Sequence, residues 1–166
     1  MREYRYFFIF FFLLFVIQFS FMPLIAINGV IPDLVLLATV SYAFLRGSEW
    51  GAFVGFLFGL IEDLMLGSFF GLHAFTLTLI GAFFGRFSDR VFKEQFFLPI
   101  LASVAATFAQ YILSACIVYL LGYSFNLFLH MWRMLFILLL FQFIFAYPIH
   151  WATFQLDKRM NERDSY

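Results

Sequence analysis

Small residues recur at helical spacing through residues 51–85, GAFVGFLFGLIEDLMLGSFFGLHAFTLTLIGAFFG. In the first half they stand four positions apart and share one face of a helix, and the second half carries a matching set. Only Gly67 and Ser68 separate the halves, which predicts an antiparallel hairpin. Inside a membrane, small residues let two helix backbones approach closely. The residues predicted to pack this hairpin are Gly51, Gly55, Gly59, Gly71, Gly81 and Gly85.

The chain on either side of the hairpin is equally apolar. Hydrophobic residues make up 64% of it and charged residues 12%, whereas a soluble domain carries about 25% charged residues. A helix needs ~20 residues to cross the bilayer, so 166 residues hold about six spans and no further domain. We therefore predict an all-α membrane protein, a polytopic bundle of about six transmembrane helices. The predicted spans are about 6–27, 31–45, 50–66, 69–85, 96–121 and 127–151, followed by a cytoplasmic tail at 152–166.

The second to fourth spans are short. At 1.5 Å per residue they reach only ~22–26 Å, so they must thin the bilayer or use flanking residues. Whether residues 31–45 cross the bilayer completely is left open.

Basic residues fix the predicted orientation. Nine of the ten Lys and Arg residues fall in the two terminal segments and in the breaks after the second and fourth spans. The breaks after the first, third and fifth spans have none. The positive-inside rule then places both termini in the cytoplasm. The basic residues predicted at the cytoplasmic interface between spans are Arg46, Arg86, Arg90 and Lys93.

Four charges lie within or at the ends of the predicted spans: Asp33, Glu62, Asp63 and Arg133. A charge at membrane depth costs ~2.5–3.5 kcal/mol by insertion scales, so each needs a partner or a task. The orientation puts all four in the outer half of the membrane. The favoured hypothesis is a structural polar cluster in which Arg133 neutralises Asp63 or Asp33. Snorkelling to the headgroups and a proton or ion relay are the alternatives.

The glycine spacing also orients the two adjacent carboxylates. Asp63 continues the stripe of Gly51, Gly55 and Gly59, so it should face a helix rather than lipid. Glu62 points about 100° away from it and is expected at the interface or beside the cluster.

No pattern predicts catalysis or a cofactor. The chain has no HExxH, CxxC or Gly-rich phosphate loop, and His73 and His130 are too few for a metal site. The net charge is zero, which gives no argument for nucleic acid. The sequence thus predicts neither an enzyme nor a cofactor.

The region from Pro32 to Gly85 resembles the rod-shape-determining MreD family. Six spans, a length near 160 residues and a short basic tail fit that family as well. Glu62 departs from the apolar residue expected there, and Arg133 belongs to no family motif. The matching elements are Pro32-Asp33-Leu34, Arg46-Gly47, Gly51, Gly55-Phe56, Gly59-Leu60, Asp63, Gly67-Ser68, Gly71-Leu72 and Gly81.

The resemblance implies a non-enzymatic, multi-pass subunit of the bacterial elongation machinery in the inner (plasma) membrane. Its implied partners are an MreC-like membrane protein, the MreB filament, cell-wall synthases of the RodA and class B penicillin-binding types, and membrane lipid. The implied outcome is lateral peptidoglycan synthesis and rod cell shape. We expect the polar cluster to fix helix geometry and the apolar surface of the first or last span to receive a partner helix.

The family fold also looks similar to the six-helix substrate-binding subunits of energy-coupling-factor vitamin transporters, which supplies an alternative function. Those subunits dock through an alanine-rich first span and carry a longer first outer loop. Here the first span is rich in Phe, and only about Asn28-Gly29-Val30 is free. A third candidate, a proton-coupled carrier using Asp63, would need a second carboxylate along a path, and the predicted inner half of the spans offers none.

Overall fold

Helices account for nearly all of the structure, a computed structural model that describes residues 2–67, 69–88, 97–122 and 127–161. Arg90, Lys93 and the side chain of Arg133 lie outside the described residues. The predicted all-α fold class is confirmed, because six α-helices and no strand are present in these ranges. The helices are α1 (Arg2–Val16), α2 (Leu34–Arg46), α3 (Ser48–Leu66), α4 (Leu72–Gly85), α5 (Phe97–Leu120) and α6 (Leu127–Asn161).

Three segments of the described chain are long and apolar enough to cross a membrane: Arg5–Ile25, Ile100–Leu120 and Met134–Met160. Leu34–Arg46 and Leu72–Gly85 are shorter apolar helices. Helix α3 has 19 residues but carries three acidic side chains. This arrangement is that of an integral membrane bundle.

Helices α3 and α4 form the most extensive helix pair of the bundle. A methyl group built on Gly51 or Gly81 would overlap the backbone of the other, and one on Gly55 would overlap the carbonyl of Leu77. Gly59 and Gly85 lie equally close to the backbone of the facing helix. Ser48 adds a hydrogen bond from its hydroxyl to the carbonyl of Ala82, at 2.7 Å.

Gly71 does not share this contact. A Cβ there would meet nothing within 4 Å, and the residue has a φ of +95° at the N-cap of α4. Its conformation, which side chains rarely adopt, turns the chain back into α4. This corrects the packing role predicted for Gly71.

Helix α2 lies at the centre of the bundle. Every residue from Leu34 to Leu45 is buried, and α2 contacts each of the other five helices. Its 13 residues span only about 20 Å. Because neighbouring helices surround α2, its short length does not expose backbone to lipid.

Helix α1 packs through one aromatic face. Phe11 stacks on Phe58 of α3 with ring centroids 3.9 Å apart, and Phe7 lies 5.1 Å from the ring of Tyr42 on α2. Phe8 and Phe12 on the other face are exposed, as expected for a span too bulky to pack on every side. The predicted span 6–27 is not one α-helix, because a π turn at Ile17–Phe21 and a 3₁₀ turn at Met22–Ile25 follow α1.

Helix α6 continues beyond the predicted end of the sixth span. It runs to Asn161, and Leu156, Asp157 and Met160 within its last turns are buried. The first ten residues of the predicted tail therefore form helix that packs on the bundle, and the membrane boundary at about residue 151 stays a prediction.

Candidate functional site

Asp63 is the best-satisfied carboxylate in the outer end of the bundle, meaning the end predicted to face away from the cytoplasm. Its Oδ1 accepts a hydrogen bond from the backbone N–H of His73 at 2.9 Å and lies 2.9 Å from His73 Nδ1. Its Oδ2 accepts from the N–H groups of Gly71 and Ala74, at 2.9 and 3.0 Å. The side chain is fully buried.

These contacts make Asp63 of α3 the cap of α4. The first N–H groups of a helix have no intrahelical partner, and a negative charge beside them is favourable. Gly71 at the N-cap position has no side chain to satisfy them, so Asp63 does so from the preceding helix. The bonds lock the hairpin at the end opposite Gly51 and Gly85.

Asp33 joins three helices. Its Oδ1 caps α2 by accepting from Leu36 N at 2.8 Å, and its Oδ2 accepts from Gln110 Nε2 of α5 at 3.1 Å. Its backbone carbonyl accepts from Gln142 Nε2 of α6 at 3.2 Å. One residue at the start of α2 therefore fastens α5 and α6 to the central helix.

Gln18 ties the first helical segment to the same place. Its Nε2 donates to the carbonyl of Pro32 and its Oε1 accepts from Leu34 N, both at 2.9 Å. Gln18 lies in the π turn and is buried. Together with Asp33 it brings α1, α2, α5 and α6 into one hydrogen-bonded network.

Sequence reasoning missed the glutamines of this network. Gln18, Gln110 and Gln142 each interrupt a long apolar run. An amide in a membrane helix donates and accepts hydrogen bonds, and it faces protein rather than lipid. A polar residue inside an apolar run was therefore the available signal.

Glu62 is buried beside these groups, but one of its carboxylate oxygens has no hydrogen-bond partner among the described residues. The residue is 3% exposed, and the oxygen without a described partner is Oε2. Asp33 and Asp63 are close enough to interact with it electrostatically. The structure thus brings together the three predicted carboxylates and adds His73.

For Arg133, the structure describes the position in α6 but not the side chain. Helix α6 reaches Asp33 through Gln142, which lies nine residues, or about 13.5 Å, further along the helix than Arg133. Asp63 is satisfied by α4 alone. The pairing of Arg133 with Asp63 or Asp33 stays a prediction, and no hydrogen bond of either aspartate requires it.

A second polar contact fastens the opposite end of the bundle, the end predicted to face the cytoplasm. Arg46 at the end of α2 forms an ion pair with Asp157 of α6, and the side chains are 25% and 5% exposed. Arg46 was predicted at the cytoplasmic interface, but Asp157 had been assigned to the tail. Asp157 is thus a buried carboxylate in the half of the bundle predicted to face the cytoplasm, where sequence reasoning found none. Arg86 is exposed at the end of α4.

The described residues contain no group of three or more His, Cys, Asp or Glu side chains arranged to hold a metal ion. The polar side chains described above form hydrogen bonds that join one helix to another. The class defined by this fold and site is a polytopic α-helical membrane protein with a hydrogen-bonded polar core.

Comparison with protein families assigns the chain to one family. The model of the rod shape-determining protein MreD matches residues 1–127, so the chain belongs to the MreD family. It is therefore a rod shape-determining protein of the bacterial inner membrane. No curated protein and no solved structure gives a match. The similarity to vitamin-binding transporter subunits stays a prediction.

Proposed function

We propose that this protein is a non-enzymatic scaffold of the bacterial elongation machinery. In this role it binds an MreC-like membrane protein and supports lateral peptidoglycan synthesis by synthases of the RodA and class B penicillin-binding types. The MreB filament is the further partner on the cytoplasmic side. Family membership provides the link to cell shape.

The observation that carries the scaffold role is how the buried polar groups are used. Asp63 accepts hydrogen bonds from the start of α4, Asp33 accepts one from Gln110 of α5, and Gln18 bonds to the start of α2. Such bonds contribute ~0.6–2 kcal/mol each in membranes and hold helices in one arrangement. A bundle fixed in this way presents a constant outer surface to partner helices.

Affinity purification from native membranes, with mild crosslinking and mass spectrometry, tests the proposal. The tagged chain should recover an MreC-like protein together with cell-wall synthase components. Recovery of a paired ATPase module or a bound vitamin instead would move the chain to the transporter class. A tagged chain carrying Asp63→Asn serves as the comparison, since a loosened hairpin should recover less of the partner.

A further inference from the structure

A long apolar groove lies between α1 and α3 on the outside of the bundle. It consists of two hollows that share Phe8. One, of about 430 Å³, is also lined by Tyr42, Glu49 and Trp50. The other, of about 630 Å³, extends along α1 to Ser20 and along α3 to Met65. We call the two hollows together the α1–α3 groove.

The groove is a fixed feature of the fold. Its floor contains Phe58, which is stacked against Phe11, and both rings are buried. Phe15 also lines it and packs against Phe58 with ring centroids 5.6 Å apart. The groove is therefore already formed in the free protein, which lowers the entropic cost of binding an occupant.

Its length favours a helix over a lipid. Fifteen residues of α3 separate Trp50 from Met65, which corresponds to about 22 Å. One leaflet supplies only about half of a ~30 Å hydrocarbon core. A single acyl chain would leave part of the groove uncovered, whereas a transmembrane helix runs its whole length.

Glu49, at the cytoplasmic end of the groove, favours a helix that carries a basic residue at that end. Glu49 is exposed there, and no cation of the described residues forms a salt bridge with it. The cytoplasmic leaflet is itself negatively charged, so Glu49 disfavours an anionic headgroup on the α3 side of the groove, whereas on the α1 side Arg5 is exposed about one turn before Phe8. Transmembrane helices carry Lys and Arg on this side of the membrane. Trp50 beside Glu49 offers a ring face that also attracts a cation.

We propose that the α1–α3 groove binds one transmembrane helix of a partner protein, and that Glu49 and Trp50 receive a Lys or Arg at its cytoplasmic end. The proposal rests on the scaffold function and assigns the docking site within it. Because the walls are bulky Phe side chains, the partner helix should present small residues to them.

Site-specific photocrosslinking in native membranes tests this. p-Benzoylphenylalanine replaces Phe12, which is 67% exposed in the groove, or Phe143, which is 61% exposed on α6 and serves as the matched control. Position 12 should form an adduct with a single-span protein that carries Lys or Arg at the cytoplasmic end of its span. Position 143 should not capture that protein.

Charge reversal then tests the role of Glu49. Glu49→Lys should lower the adduct yield at position 12 by about threefold to tenfold, since an exposed attraction is replaced by repulsion. Arg159→Glu, an exposed charge reversal at the end of α6, should leave the yield unchanged. Replacing the partner's basic flank with Glu should restore capture by Glu49→Lys.

Three outcomes would overturn the groove assignment: lipid adducts alone at position 12, adducts with a second copy of this chain, or a yield insensitive to Glu49→Lys. Co-purification separates this failure from that of the scaffold function. If the MreC-like protein still co-purifies while position 12 captures no helix, only the groove is wrong. If no partner co-purifies at all, the proposed function fails with it.

Discussion

Asp63 and Glu62 are adjacent, buried carboxylates with different partners. Asp63 accepts bonds from three backbone N–H groups, those of the N-cap Gly71 and of His73 and Ala74 in α4, whereas Glu62 has an oxygen without a described partner. Asp63→Asn places an amide where two acceptor oxygens are needed, so buried N–H groups lose their partner. We expect a loss of about 2 kcal/mol or more in stability, measured by thermal unfolding in detergent.

Glu62→Gln is the matched control for that change. It removes the same charge one position away, and an amide is less costly to bury than an unpaired carboxylate. We expect unchanged or slightly higher thermal stability. Equal damage from the two variants would mean that loss of charge, rather than loss of the α4 cap, destabilises the protein.

The contrast shows what the sequence could reveal at this scale. The spacing of Gly51, Gly55 and Gly59 was enough to predict that Asp63 faces a helix. It could not reveal the partner, because the donors are backbone N–H groups that no side-chain pattern displays. Gln110 and Gln142 were missed for a different reason, since each is a single polar residue in a long apolar run.

At the scale of elements, the α3–α4 hairpin depends on backbone contact. Gly55→Ala would place a methyl group against the backbone of Leu77 and Thr78, which cannot move aside as a side chain could. The helices must then separate, at a cost of about 1–3 kcal/mol or more. Thermal unfolding of Gly55→Ala should show this loss. Phe56→Ala, at an exposed neighbouring position, should lower the unfolding temperature much less.

Helices α2 and α6 run parallel and are joined near both ends of α2. Gln142 bonds to Asp33 at one end, and Asp157 pairs with Arg46 at the other. The sequence analysis ended the sixth span near Trp151, where charged residues begin soon afterwards. Leu156, Asp157 and Met160 nevertheless repeat at helical spacing and are buried. Hydropathy alone could not separate this packed extension from a solvated tail.

A double-mutant cycle measures the inner contact. Asp157→Asn and Arg46→Gln should each destabilise the protein by about 1–3 kcal/mol, since each leaves a partly buried charge without its partner. The double variant should be less damaged than the sum of the two, by a coupling energy of about 0.5–3 kcal/mol. Strictly additive losses in unfolding experiments would show that the two side chains do not stabilise each other.

Truncation tests the same element independently of charge. Removing residues 152–166 deletes the buried side chains of Leu156, Asp157 and Met160, and should markedly lower both yield and unfolding temperature. Removing only residues 162–166 leaves every described contact in place. Similar behaviour of the two truncated proteins would contradict a structural role for the end of α6.

At the scale of the whole molecule, composition and the length of the apolar runs were sufficient to predict the helical bundle. They could not predict that α2, the shortest helix, would be its centre. That position follows from contacts with five other helices, which no local pattern records. The sequence analysis left open whether this short helix crosses the bilayer completely. Burial accounts for its short length, because a helix surrounded by protein need not match the bilayer on its own.

The predicted orientation has a direct test at this scale. Asn28 is exposed in the tight turn between α1 and α2, and Arg159 is exposed at the far end of α6. In a Cys116→Ser background, a cysteine at position 28 should react with a membrane-impermeant maleimide in intact spheroplasts. A cysteine at position 159 should react only after permeabilisation, because the positive-inside rule predicts that its end of the bundle lies in the cytoplasm. The opposite labelling pattern would invert the bundle and place Glu49 and the Arg46–Asp157 pair at the outer surface.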